Sequence, residues 1–184
     1  MSEEQKKRGP DLSAERALVG NVVRCIIRHD HDTYVLKNAF GKSLKEADME
    51  AYIAFLSVTA SNGQAPYPNE EAAFIVTTML CSRYAGRRKI SLQGIPYEEL
   101  LRNAYKNGTE TLKRNMESFI DSDMDAYGEF ASKVAWLETL PEVRSVTPDF
   151  AAMLHDLRWW NAPEYWSKKK WARAMISNIK RTNV

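Results

Sequence analysis

The residues best suited to chemistry in this sequence are its three histidines, because each is followed by aspartate: His29-Asp30, His31-Asp32 and His155-Asp156. Adjacent imidazole and carboxylate groups at helix ends can hold a divalent cation that activates water. Such a site needs several converging ligands. Two of the pairs share one short interhelical connection, and the third falls far downstream inside a helix, where consecutive side chains diverge. No further histidine exists to complete a ligand set. Asp30 and Asp32 therefore read first as loop and capping residues. The run Asp121-Ser122-Asp123-Met124-Asp125 has the oxygen density of a calcium loop but lacks the turn glycine and the closing glutamate. Helix capping by Asp121, Ser122 or Asp123 explains it better.

Cys25 and Cys81 sit in apolar helical patterns, where free thiols are commonly buried and a thiolate is disfavoured. They form no C-x-x-C pair for zinc. The phosphate-loop, nucleophile-elbow, H-E-x-x-H and dinucleotide glycine patterns are all missing. No catalytic residue, metal or cofactor is expected.

What remains is positive charge. Arg24 and Arg28 lie four apart on the first helical pattern. Arg83, Arg87, Arg88 and Lys89 surround the end of a later one, and Lys168-Lys169-Lys170 with Arg173 lie between and beyond Trp166 and Trp171. Any one group can be ordinary solvated helix surface. Together they suit an extended phosphate backbone, since lysine offers mobile ammonium charge and arginine fork-like donors. The net charge is only +2, yet from Tyr165 onward there are six Lys or Arg and no Asp or Glu. The C-terminus is the basic end. Tryptophans can stack on bases, but Trp160 and Trp171 continue apolar stripes and read as core.

The elements that must position these groups are helical throughout. Leu18, Val22, Cys25 and Ile26 form one stripe over Ser13–Arg28. A short helix over Thr33–Phe40 ends at Gly41. Ser43-Leu44-Lys45-Glu46 reads as a capping box starting a helix that turns Met49, Tyr52, Ile53 and Leu56 inward. Ser61–Pro68 breaks the pattern, and Asn69 caps a helix burying Ala72, Ile75, Val76, Met79 and Leu80 up to Gly86. Pro96 at the first helical position opens a helix with Leu100, Leu101 and Ala104. Two more are expected, one on Leu112, Met116, Phe119 and Ile120, the other on Met124, Tyr127, Ala131, Val134 and Leu137. Thr147-Pro148-Asp149 reads as a start, with threonine capping and proline at the first helical position. A last helix runs from about Glu164 to Lys180, with Trp166, Trp171, Ala174, Met175 and Ile179 apolar. The expected fold is all-α, with about eight or nine helices in one domain. Residues 11–90 and 91–184 are possible lobes, with a seam at Ser61–Asn69 or Arg87–Pro96. At 184 residues and 44% hydrophobic the chain can bury a sizeable core. No apolar stretch is long enough to span a bilayer, and Met1–Asp11 is charged with no apolar region after it, so a soluble cytoplasmic protein is expected.

The C-terminal third carries a more specific pattern. Val146-Thr147-Pro148-Asp149-Phe150 is followed by Leu154-His155-Asp156-Leu157-Arg158-Trp159-Trp160-Asn161, and then by Lys168-Lys169-Lys170-Trp171-Ala172-Arg173. This resembles the CasB family, the small subunit of the type I-E CRISPR surveillance complex Cascade. In that family an aspartate-led helix with a Leu-x-x-Asp-Leu-x-x-Trp core precedes a basic helix ending Trp-Ala-Arg. Upstream, Ser82-Arg83-Tyr84-Ala85-Gly86 and Ile90-Ser91-Leu92 are similar to the family's mid-chain turn, and Lys113-Arg114 to its basic pair. The resemblance implies an all-helical protein without an active site, present as two copies in the complex beside its other subunits. Basic surfaces would help to hold the guide RNA–target DNA heteroduplex and the displaced strand, while base pairing chooses the sequence. It places Arg83, Arg87, Arg88 and Lys89 on that surface first, then Lys113, Arg114, Lys168, Lys169, Lys170 and Arg173, with Arg24 and Arg28 after them. The competing readings are a protein–protein adaptor whose basic residues meet acidic subunits, and an HD-type metal phosphohydrolase using the His-Asp pairs.

Overall fold

The computed structural model describes residues 10–60 and 67–177. It contains ten α-helices: α1 (Ser13–Ile27), α2 (His31–Asn38), α3 (Met49–Thr59), α4 (Glu70–Tyr84), α5 (Tyr97–Asn107), α6 (Glu110–Asp121), α7 (Glu129–Leu137), α8 (Pro141–Arg144), α9 (Phe150–Arg158) and α10 (Trp166–Ile176). No strand occurs among the described residues; the one β-like contact is an isolated parallel bridge between Ile95 and Pro148. The fold is all-α, as the periodicity predicts. The expected continuation of α10 to Ile179 and Lys180, and most of the expected break at Ser61–Pro68, lie outside the described residues.

Capping residues fix several of these starts. The side chains of Asp48, Asn69, Thr109 and Asp149 each accept a hydrogen bond from the backbone N–H three residues on. Each supplies an acceptor to a donor that the first helical turn leaves without a partner. Asp149 therefore does the capping that the sequence pattern assigns to Thr147. Pro148 precedes the helix and pairs with Ile95, whose N–H donates to the Thr147 carbonyl at 3.1 Å and whose carbonyl accepts from Asp149 N–H at 2.8 Å. The next residue back, Gly94, lies against this bridge so closely that a Cβ would sit 2.3 Å from the Pro148 carbonyl group. Pro96 likewise sits one position before α5.

α4 is the central element. Every residue from Ala72 to Cys81 is buried, so it packs on several sides at once. α2, α1, α9 and α3 surround it. On the other side α10 lies along α5 and also touches α6, while α8 packs on α5. α9 contacts α1, α4 and α5, and the buried residues form one core from Leu18 to Met175. Its aromatic part gathers Phe119, Phe130, Trp160 and Trp171, with the two indoles 5.1 Å apart and edge to face. Both tryptophans are core residues, as their stripes predict.

Three expectations need correction. Ser43 and Glu46 do form a capping box, with Ser43 N–H donating to the Glu46 carboxylate at 2.9 Å, but it closes only one 3-10 turn at Leu44–Glu46. α3 starts separately at Met49 under Asp48, and its buried face is not the expected one, although Tyr52 is partly buried against the core. Ala51, Ala54, Phe55 and Val58 point inward, whereas Met49 and Ile53 are 69% and 60% exposed and Leu56 is also outside. Second, α7 begins at Glu129, so Met124 and Tyr127 belong to the preceding turns, and Tyr127 is exposed. Third, Asp121, Ser122 and Asp123 cap no helix start. Asp123 and Asp125 accept hydrogen bonds from the Asn161 side-chain amide at 2.6 and 3.0 Å, tying the α6–α7 connection to the turn after α9.

The choice of buried face on α3 has a measurable consequence. Phe55, which meets Phe74 edge to face at 5.4 Å, should cost about 3–5 kcal/mol when changed to alanine. Ile53→Ser should change stability by less than about 0.5 kcal/mol. Urea unfolding of the two variants checks the assignment, and the opposite order would return Ile53 to the core.

Candidate functional site

The expected cations divide into those folded into the structure and those left on its surface. Arg83, in the last turn of α4, is inside: its side chain is 4% exposed and that of its partner Glu138 only 2%. Two guanidinium nitrogens meet the two Glu138 oxygens at 2.5 and 2.8 Å. The group also donates to the carbonyls of Val143 and Val146 at 2.9 and 2.8 Å. Tyr97 donates its hydroxyl to the same carboxylate at 3.1 Å. Such a bidentate, fully committed pair joins α4 to the α7–α8 connection. Arg83 is thus removed from the expected phosphate-binding set.

Lys170 is also engaged. Its ammonium lies 2.7 Å from Asp156 and 3.0 Å from Glu98. Burial works to lower its pKa, but the two carboxylates outweigh this and raise it above the usual lysine value. Asp156 is itself buried and accepts a second hydrogen bond from the Trp171 indole N–H at 2.7 Å, while its backbone carbonyl accepts from the Ser167 hydroxyl at 2.8 Å. Trp160 donates its indole N–H to the Ser122 carbonyl at 3.0 Å. The aspartate, lysine and tryptophans of the C-terminal pattern therefore build the α9–α10 junction.

The remaining cations face outward. Arg87, Arg88 and Lys89 are exposed in the connection after α4, and Arg114, Lys169 and Arg173 are exposed on α6 and α10. None of these six makes an ion pair among the described residues. Lys168 rests near the Tyr165 and Trp160 rings at 5.5 and 5.8 Å. Lys113 is shared between Glu110 at 3.2 Å and the Tyr105 ring. Arg28 pairs with Asp30 at 2.7 Å, and Arg24 donates to Asn21 on its own helix. The Lys113–Arg114 pair and the α10 cations stand on helices that pack together. Arg24 lies on α1 and Arg28 caps its end, and α1 packs on α2, α3, α4 and α9 instead.

The His-Asp pairs are used separately. His29 takes a left-handed backbone conformation (φ +60°) in the turn after α1, Asp30 precedes α2 and pairs with Arg28, and His155 lies with Nδ1 3.5 Å from the buried Glu15. No three His, Cys, Asp or Glu side chains among the described residues gather closely enough to hold a metal ion. Burial raises the Cys25 thiol and pushes Cys81 up to about 12.

Sequence reasoning missed Arg144, Arg158, Trp159 and Trp166. Arg144 approaches Glu138 at 3.6 Å and adds an exposed guanidinium beside the buried pair. Trp166 reads as apolar filling within its stripe, yet both it and Trp159 face solvent. No family model matches the sequence, no curated protein is significantly similar to it, and no solved structure matches its fold.

Two outcomes follow from this division. Arg83→Ala strands a buried carboxylate and should cost about 3–5 kcal/mol, whereas Arg87→Ala should stay within about 0.5 kcal/mol; denaturant midpoints compare them directly. Cys81 holds its proton in the folded state well above the 9.0 of a free thiol. Above that value the unfolded chain releases a proton the folded chain keeps, so stability must fall as pH rises from about 9 toward 12. Cys81→Ala should flatten that decline relative to its own neutral-pH stability, measured as unfolding free energy against pH.

Proposed function

We propose that the chain is a non-catalytic, cytoplasmic subunit that steadies nucleic acid within a type I-E CRISPR surveillance complex, as its resemblance to CasB implies. Its partners in this reading are guide RNA, target DNA, the other Cascade subunits and a second copy of itself. The observation that supports it best is the separation of cations just described. Arg83 and Lys170 are consumed by internal carboxylates. Arg87, Arg88, Lys89, Arg114, Lys169 and Arg173 remain outside with no carboxylate partner among the described residues, and Lys168 stands beside them on α10. Surface guanidinium and ammonium groups of this kind exchange their counterions for phosphates at little conformational cost. They carry no base-reading geometry, which suits a subunit whose complex takes its sequence choice from pairing. Modest affinity of the free chain is compatible with strong retention in an assembly, where neighbours raise the effective concentration.

A protein–protein adaptor reading draws on one observation, the exposed apolar stripe of Met49, Ile53 and Leu56 on α3. It predicts stable assembly with sibling subunits and no crosslinks from this chain to DNA.

Replacing Arg87, Arg88 and Lys89 together by alanine should weaken retention of target DNA in the assembled complex without lowering the thermal midpoint. Each lost phosphate contact should flatten the plot of log affinity against log salt by about one. Unchanged affinity and slope in the triple variant would remove this loop from the interface.

A further inference from the structure

Between α9 and α10 the chain turns through Trp159–Tyr165, and this turn faces Asn69 and Asp125 across a cleft of about 400 Å³. That volume falls within the usual range of small-ligand sites, about 300–1,000 Å³. Its walls include Trp159 and Trp166, which keep 41% and 37% of their surface in solvent. The amides have structural partners already: Asn69 caps α4 and donates to the Arg158 carbonyl, and Asn161 is held by Asp123 and Asp125. Three charged groups are left to meet a ligand: the Arg158 guanidinium, 5.0 Å from the Trp159 ring centre and 5.8 Å from that of Tyr67, and the exposed carboxylates of Asp125 and Glu164.

We infer that this cleft receives an unpaired nucleobase of a single-stranded nucleic acid, stacked on Trp159 and Trp166, with the flanking phosphates running along α10. The inference rests on the nucleic-acid reading proposed above and gives it a specific site. Indole faces and a guanidinium plane are the surfaces on which bases stack without sequence preference. The path out of the cleft is positive: Trp166, Lys169 and Arg173 recur at helical spacing on the exposed side of α10. A rise of 1.5 Å per residue puts the two cations about 4.5 and 10.5 Å along the axis from Trp166. A ligand fitting both parts has a flat ring beside a chain of anions. Asp125 and Glu164 repel phosphate from the cleft itself and leave the amino edge of a base as the better neighbour there.

The test uses the purified full chain and two probes of equal length and charge: an oligodeoxycytidylate and an oligomer of abasic deoxyribose phosphate. The wild type should bind the base-bearing strand about ten-fold more tightly or better, with quenching of tryptophan emission that the abasic strand does not produce. The Trp159→Leu/Trp166→Leu variant should bind both strands with the abasic affinity and an unchanged salt slope. The Trp159→Phe/Trp166→Phe variant keeps aromatic faces and should retain most of the preference, which separates stacking from any loss of packing. Equal wild-type affinity for the two strands, or a preference that survives in a folded leucine variant, overturns the stacking site while leaving the phosphate surface standing. Binding of neither strand also overturns the stacking site, and the nucleic-acid reading is then decided separately by retention of target DNA in the assembled complex.

Discussion

The buried carboxylate of Asp156 is the constraint on which the C-terminal half depends. It sits on α9 with almost no access to water, where an unpaired charge would be costly. The structure offsets that cost from α10 alone: Lys170 supplies the counter-charge and Trp171 an indole N–H, while Ser167 satisfies the carbonyl of the same residue. Three residues within five positions thus fix the angle at which α10 meets α9. Lys170 then extends to Glu98 and brings α5 into the same network. With that junction set, Trp160 and Trp171 meet edge to face, and their contacts carry the packing through to Phe119 and Phe130.

This gives the most specific part of the sequence resemblance a physical meaning. Asp156, Lys170 and Trp171 hold one another and Trp160 packs on Trp171, while Asn161 ties the turn after α9 to Asp123 and Asp125. They specify how two helices dock, and a docking geometry can be shared by proteins with different surfaces. The cations proposed to meet nucleic acid lie elsewhere in the pattern, at Lys169 and Arg173, and beyond it, at Arg87–Lys89 and Arg114. Neighbouring lysines on α10 are therefore not interchangeable. Lys170 faces inward to two carboxylates, and Lys169, one residue earlier, faces out.

Much of the architecture was legible in the sequence because helices of this kind announce themselves twice, by an apolar stripe and by a cap. α4 carried both and α1 its stripe alone, and their stripes of Ala72, Ile75 and Met79 and of Leu18, Val22 and Ile26 are buried as their spacing requires. α3 misled because it offers two apolar stripes: Met49, Ile53 and Leu56 mark one that faces out, and Ala51, Ala54, Phe55 and Val58 mark the buried one, with Tyr52 partly buried between them. The candidate site was legible only in part for a related reason. Charge is visible in a sequence, but its partner is not, and Glu138 lies 55 residues from the arginine it neutralises. The exposure of Trp159 and Trp166 was likewise hidden, since an indole has the same composition whether it fills a core or lines a cleft.

The bridge between Ile95 and Pro148 matters beyond the two residues it joins. Upstream of the basic loop, Arg83 is clamped by Glu138 and two carbonyls; downstream, Gly94 and Ile95 are pressed against the backbone that leads into α9. Arg87, Arg88 and Lys89 hang between these two moorings like a cable between piers. The span is set by the body of the protein, so the charges can sway but cannot drift away from the junction of α4 with α9. A tether of this sort gives up the reach of a free tail and gains a fixed address for its charge, so that any anion meeting it would cost the loop little further freedom.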